Sequence, residues 1–307
     1  MRLVLFGQAA SWNHTLERLQ QYNAADSVVG LSDVCLGEYT DSDVTYSLSE
    51  LLEMYNKGEI DGVLQTEPEN TYYTNILKQI GIPDIYIIPE NIKENECIKR
   101  YSDVGPVLNQ IEFHLADHCN LNCRGCAHFS NLVSSPVYAD YEQFNKDIHK
   151  LSEYFSQIKT IYLLGGEPLL NKDIGSFIIS ARDAFPYACI TVVTNGILLL
   201  SISDDLIQII KDNNVLISIS DYECLDNNKI ITFIKEHELN AELRLEKESF
   251  AKHINIHGDS DKKVIFNQCM RRNCTFLSRG MMAACCTPFL NKYFNERYNE
   301  KLPEMDK

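Results

Sequence analysis

Along residues 1–93, short apolar runs alternate with stretches whose apolar positions recur every three to four residues. Runs at 2–7, 27–31, 61–65 and 85–88 have strand length, whereas 47–55, 71–80 and the segment marked by Trp12, Leu16 and Leu19 follow a helical period. Gly81 and Pro83, just past one of these helices, are stop signals. The repeated β-α alternation predicts a small parallel, Rossmann-like α/β domain. Polar residues 94–108, which include Gly105-Pro106, predict a linker. A second series follows, with strands at 110–116, 160–164, 188–193, 215–220, 241–245 and 263–266, and helices at 141–155, 173–185, 204–211 and 227–238. Six β-α steps in about 160 residues are too few for a closed eight-stranded barrel.

The turn after the first strand, Gly7-Gln8-Ala9-Ala10-Ser11-Trp12, keeps only the first glycine of a dinucleotide-binding G-x-G-x-x-G. Recruitment of a substrate or docking of a partner therefore fits this domain better than a cofactor site. Asp33, Glu38, Asp41 and Asp43 form a solvated acidic loop or a contact for a basic peptide.

Chemistry concentrates where the second series begins. Cys119, Cys123 and Cys126 are spaced C-x3-C-x2-C directly after the strand at 110–116. Three thiolates so close together can hold three corners of a cubic iron–sulfur cluster and leave one iron without a protein ligand. A zinc knuckle is the other reading, with His118 or His128 as its fourth donor. Gly165-Gly166-Glu167-Pro168 follows the strand at 160–164, where paired glycines permit close approach to the backbone. Thr194-Asn195-Gly196 ends the next strand.

In this order, these motifs resemble the radical S-adenosylmethionine (SAM) superfamily, from about residue 108 to about 266. The resemblance implies a partial (β/α)6 barrel over 109–266, with its chemistry at the C-terminal ends of the strands. It also implies a [4Fe–4S] cluster on Cys119, Cys123 and Cys126, with SAM's amino and carboxylate groups on the open iron. Gly165, Gly166, Glu167 and Pro168 would hold the amino group, and Asn195 with Ser218 or Ser220 would meet the ribose or carboxylate, unless these three merely cap strand ends. Reduced by a flavodoxin- or ferredoxin-type donor, such an enzyme cleaves SAM to a 5′-deoxyadenosyl radical that takes a hydrogen atom from its substrate. Two positions depart from the pattern. Gly125 replaces the usual aromatic residue, leaving the adenine contact to His128 or Phe129, and the fourth strand ends Ser218-Ile219-Ser220-Asp221 where Ser-x-Asp-Gly is common.

Glu242, Arg244 and Glu246 share one face of their strand by period two, forming either a charged substrate floor or a solvated surface. His114, in step with Glu112 and Ala116, is either a site residue or a core histidine. Near the C-terminus, Cys269, Cys274, Cys285 and Cys286 surround Gly280, and Cys269…Gly280…Cys285 resembles the opening of the SPASM and twitch extensions, whose hairpins carry an auxiliary iron–sulfur cluster. Residues 275–279 and 281–284 read as the two strands of that hairpin, within a cysteine-rich extension at 267–307. The later cysteines of those extensions do not follow. Three readings follow: Cys274 or Cys286 completes the site, the remaining ligands lie beyond this chain, or an iron is open to substrate; a zinc or reactive-thiol site is the alternative. Cys285 and Cys286 need a kink between them to face one cluster.

Eleven cysteines, clustered in a chain without a signal peptide, favour metal ligation in a reducing cytoplasm over a disulfide framework. A net charge of −15 disfavours nucleic acid and anionic membranes as partners, and no apolar run approaches the roughly 18 residues of a membrane span. The expectation is an α/β radical SAM enzyme acting on a small metabolite or sugar. A maturase of a ribosomal precursor peptide is the first alternative, and a non-catalytic iron–sulfur or zinc protein the second.

Overall fold

The computed structural model describes residues 1–33, 45–68, 70–89, 97–222, 225–245, 255–269 and 274–305. The chain divides into two compact units, Met1–Val107 with Tyr154–Gln157, and Leu108–Glu153 with Ile158–Lys307.

The first unit follows the alternation read from sequence: β1 (Leu3–Gly7), α1 (Ala9–Gln21), β2 (Val28–Asp33), α2 (Leu48–Asn56), β3 (Gly62–Gln65), α3 (Thr71–Ile80) and β4 (Ile85–Ile87). The stretch expected as a linker supplies a short strand, β5 (Lys99–Arg100), antiparallel to β4, so the sheet runs β2-β1-β3-β4-β5. Leu3, Val4, Leu5 and Phe6 are all fully buried because β1 is covered on both faces. Val4 and Phe6 pack with Leu51, Tyr73 and Leu77 of α2 and α3, while Leu3 and Leu5 pack with Leu19 and Trp12 of α1. At the end of β1, a Cβ on Gly7 would collide with the Thr66 hydroxyl. Ser11 Oγ fills the same turn, 2.8 Å from Thr66 Oγ1 and donating to the Gln8 carbonyl at 2.7 Å.

In the second unit, β6 (Val107–Ala116), α4 (Tyr141–Tyr154), β7 (Gln157–Gly165), α5 (Ile174–Ala184), β8 (Cys189–Thr194), α6 (Asp204–Asp212), β9 (Leu216–Asp221), α7 (Asn227–Glu236) and β10 (Ala241–Leu245) follow in turn. The pairs β7–β8, β8–β9 and β9–β10 are parallel. Residues 263–266, expected as a sixth strand, instead lie in α8 (Lys262–Gln268), whose start is capped by the Asp261 carboxylate accepting from the N–H groups of Lys263 and Val264. The expected C-terminal hairpin is present as β11 (Phe276–Ser278) and β12 (Met281–Ala283), and it joins beside β6, giving the order β10-β9-β8-β7-β6-β11-β12. The cysteine-rich extension contains α9 (Thr287–Tyr298), which buries Phe289, Leu290 and Tyr293.

Alternation sorts this sheet into two unlike faces. Ile111, Phe113, Leu115, Ile161, Leu163, Ile190, Val192, Ile217 and Ile219 are buried toward the helices. There Phe113 meets Phe144 of α4 edge-on at 4.7 Å between ring centres, and Phe144 packs tilted against Phe177 of α5 at 4.8 Å. The opposite face carries Glu112, Tyr162, Thr191, Ser218, Ser220, Glu242 and Arg244, which follow from the register of partners Tyr162↔Thr191, Val193↔Ser218, Ser218↔Glu242 and Ser220↔Arg244.

Candidate active site

The cysteine loop leaves the end of β6 and is pinned to the end of β7. Gly166 N–H donates to the Ala116 carbonyl at 2.8 Å and Glu167 N–H to the His118 carbonyl at 3.1 Å. A Cβ on Gly165 or Gly166 would run into those same carbonyl oxygens. The two glycines therefore serve the contact between the root of the cysteine loop and the neighbouring strand end.

Glu167 is fully buried, and its carboxylate organises the next strand end. It accepts from Thr194 Oγ1 at 2.7 Å, from Asn195 N–H at 2.9 Å and from Leu169 N–H at 3.0 Å. Burial pushes its carboxyl above the usual range, against the opposing pull of these three donors. Pro168 starts a single helical turn after it. Asn195, held by Glu167, reaches back to the cysteine loop, with Nδ2 donating to Asn120 Oδ1 at 2.7 Å and lying 3.7 Å from Cys119 Sγ. Three strand ends and the loop thus form one network.

Within the loop, Leu121 N–H donates to Cys119 Sγ at 3.3 Å. Burial raises the Cys119 thiol, the Leu121 N–H lowers it, and the nearby Glu167, Cys123 and Cys126 raise it further. The three thiols are thus near enough to repel one another as thiolates, and a cationic metal group would relieve that repulsion. Among the described residues, no three His, Cys, Asp or Glu side chains converge as one metal ion requires. A cube with its thiolates on separate irons needs no such convergence, so the donor set fits a cluster. The histidines of the zinc reading are engaged elsewhere through Nδ1, which in His118 accepts from Val137 N–H at 3.1 Å and in His128 lies 3.2 Å from the Gly165 carbonyl. Phe129 packs under α9 with Phe276 and Phe289, so of the two residues considered for the adenine contact only His128 stays with the glycine motif.

On the polar sheet face, Ser218 Oγ donates to Glu242 Oε1 at 2.6 Å, and Arg244 donates to Ser220 Oγ at 3.4 Å. Both serines are buried and tied to β10, and Glu242 and Arg244 lie on the face away from the helices. Glu246 lies outside the described residues. Burial raises the Tyr162 phenol, which feels Glu112, Arg244 and Glu242 across this face. His114 Nδ1 lies 3.0 Å from Asp117 Oδ1, and the Tyr293 hydroxyl donates to Asp117 Oδ2 at 2.5 Å. Although burial pushes the Asp117 carboxyl up, His114 and Tyr293 outweigh it and hold the group below its usual range. His114 Nε2 is buried and has no hydrogen-bond partner among the described residues. The Asp117–Tyr293 link escaped sequence reasoning because it joins residues 176 apart.

The C-terminal thiols divide. Cys274 donates to Glu112 Oε1 at 3.3 Å, and Cys286 feels Cys285, Glu112 and Cys274. Cys286 has helical φ/ψ at the start of α9, so the backbone breaks from the extended form between these two adjacent thiols. The Cys286 thiol, raised by its bond to Cys285 and by burial, donates to Cys285, whose own pKa is lowered to about 5. Cys269 is exposed at the end of α8. Cys97 is buried in the first unit.

Residues 114–222 match the family described as the radical SAM superfamily. A curated relative, the probable GTP 3′,8-cyclase of Methanocaldococcus jannaschii, is 31% identical over 102 residues, 33% of either chain, so the match spans about a third of that protein. Solved structures that align include BtrN in complex with AdoMet and 2-DOIA, at 16% identity over 62% of this chain and 77% of that one, with a TM-score of 0.40. Streptococcus suis SuiB bound to S-adenosylmethionine aligns at 13% identity over 92% of this chain and 72% of that one, with a TM-score of 0.33.

Proposed function

We propose that this chain, a member of the radical SAM superfamily through residues 114–222, is an enzyme that uses SAM to take a hydrogen atom from a small polar metabolite or sugar. The observation that carries the reading is the network joining Cys119 through Asn120 and Asn195 to Glu167. It binds the three-thiol loop to the strand ends where the cosubstrate must lie, a coupling that an electron carrier does not need.

Cys119, Cys123 and Cys126 are the ligands of a [4Fe–4S] cluster in this reading. When bound, such a cluster delivers an electron to the sulfonium of SAM, releasing methionine and the 5′-deoxyadenosyl radical. The backbone of Gly165–Pro168 and the Asn195 side chain line the SAM position, and Glu167 is a positioning residue that sets Asn195. Substrate lies on the polar face, where Tyr162, Ser218, Glu242 and Arg244 offer closely spaced donors and acceptors. A patch of this size and polarity suits hydroxyl- or amine-bearing small molecules. The C-terminal thiols hold a second iron–sulfur cluster, and a flavodoxin- or ferredoxin-type protein is the donor.

The test is anaerobic reconstitution with iron and sulfide, then dithionite and SAM, for the wild type and a C119A/C123A/C126A variant. The expected result is 5′-deoxyadenosine from the wild type alone. A loaded, reducible cluster that yields none would replace the enzyme reading with an electron-carrier or zinc protein. Turnover of a peptide but of no small molecule would move the substrate class to precursor peptides.

A further inference from the structure

We propose that the Glu112 carboxylate is a ligand of the C-terminal cluster, the fourth donor beside Cys274, Cys285 and Cys286. The inference rests on reading those thiols as an iron–sulfur site, and it supplies the donor that the cysteine pattern lacks.

Glu112 sits on the polar face of β6, where β11 joins the sheet. Its N–H donates to the Thr275 carbonyl at 2.8 Å, and its Cα is in register with Phe276. This backbone contact fixes the carboxylate against the residue just before Thr275, and Cys274 Sγ lies 3.3 Å from Oε1. Gln110 Nε2, one step back on the same face, is 3.7 Å from that sulfur. From the other side, the antiparallel pairing Phe276↔Ala283 brings the segment after β12, with Cys285 and Cys286, beside the segment before β11, with Cys274, and the Cys286 thiol feels Glu112 and Cys274. The Cys274–Glu112 contact and the Cys285-Cys286 pair, drawn from β6, the segment before β11 and the start of α9, therefore belong to one corner of the sheet.

Glu112 is only 5% exposed, and among the described residues no Lys or Arg pairs with it. A buried carboxylate whose side-chain partner is a thiol is costly to keep charged unless a cation joins it. Iron satisfies that demand, since thiolate and carboxylate are both ordinary iron donors. Ligation requires Cys274 to release to solvent the proton it now shares with Glu112. Cys269, the rival fourth donor, is exposed at the end of α8.

The experiment uses the full chain carrying C119A/C123A/C126A, so that all bound iron belongs to the C-terminal site, reconstituted with iron and sulfide and followed by iron analysis and EPR. This parent is expected to hold about four irons. Adding E112Q should remove about one of the four and give the EPR signal of a three-iron cluster on oxidation. Adding E112C should restore about four with an altered spectrum, while C269A should change neither iron nor spectrum. Because Glu112 pairs with β11 through its backbone, E112Q leaves the hairpin intact, and an unchanged circular dichroism melt checks this. Full iron with an unaltered spectrum in E112Q overturns the proposal, as does loss of iron in C269A. An iron-free parent defeats the cluster reading itself, a result distinct from either.

Discussion

Glu167 concentrates more of the site's geometry than any other single side chain, because one buried carboxylate positions the start of the Thr194-Asn195-Gly196 turn. Removing it as E167A leaves buried donors unpaired, and a loss of about 1–3 kcal/mol in urea unfolding is expected, together with weaker SAM binding. The sequence showed Glu167 as part of a motif but not its partners, since nothing local says that a side chain after two glycines reaches the end of the next strand. The same holds for Asn195, whose partners lie on the cysteine loop. At the other end of the unit, Cys285 has its thiol lowered to about 5 by the neighbouring Cys286. The thiolate is therefore present above that pH and lost below it. In reduced, metal-free protein at about pH 6.5, iodoacetamide should modify Cys285 before the other thiols, with its rate falling as pH drops through about 5.

At the level of elements, the ends of β6 and β7 are built as one piece. G166A places a methyl group against the His118 carbonyl, so the cysteine loop must shift. Loss of cluster iron and of SAM binding, with the rest of the unit still folded by circular dichroism, is the expected outcome. On the helix-covered face, Phe177 packs against both Phe144 and Tyr141, and F177A should lower stability by about 3–5 kcal/mol. Strands and helices with clear periods were legible in the sequence, including the C-terminal hairpin. The failures have local causes. Val264-Ile265-Phe266 is a short apolar run that fits either strand or helix, and the arbiter was Asp261, a helix cap three residues earlier. For α9, which the sequence reading did not assign, the cue was Pro288 at the first turn, followed by apolar residues at helical spacing. The facing of β10 was undecidable from alternation alone, because period two identifies a shared face without saying which face the helices cover.

For the molecule as a whole, the charge of −15 bears on how electrons arrive. Reduction by a donor that is itself acidic should accelerate as salt rises from about 10 mM to about 150 mM, since screening removes like-charge repulsion. Stopped-flow reduction at varied ionic strength checks the sign. In both units the helix-covered cores follow from the pattern of apolar residues, whereas the polar sheet face of the second unit depends on strand order and register. The hydrogen-bonded path from Cys119 to Glu167 also carries thermodynamic linkage. Two ligands that order the same set of loops must help one another by equal factors. The tightening of SAM binding when the loop cluster is loaded should therefore equal, as a ratio, the gain in cluster retention when SAM is present, and N195A should shrink both together.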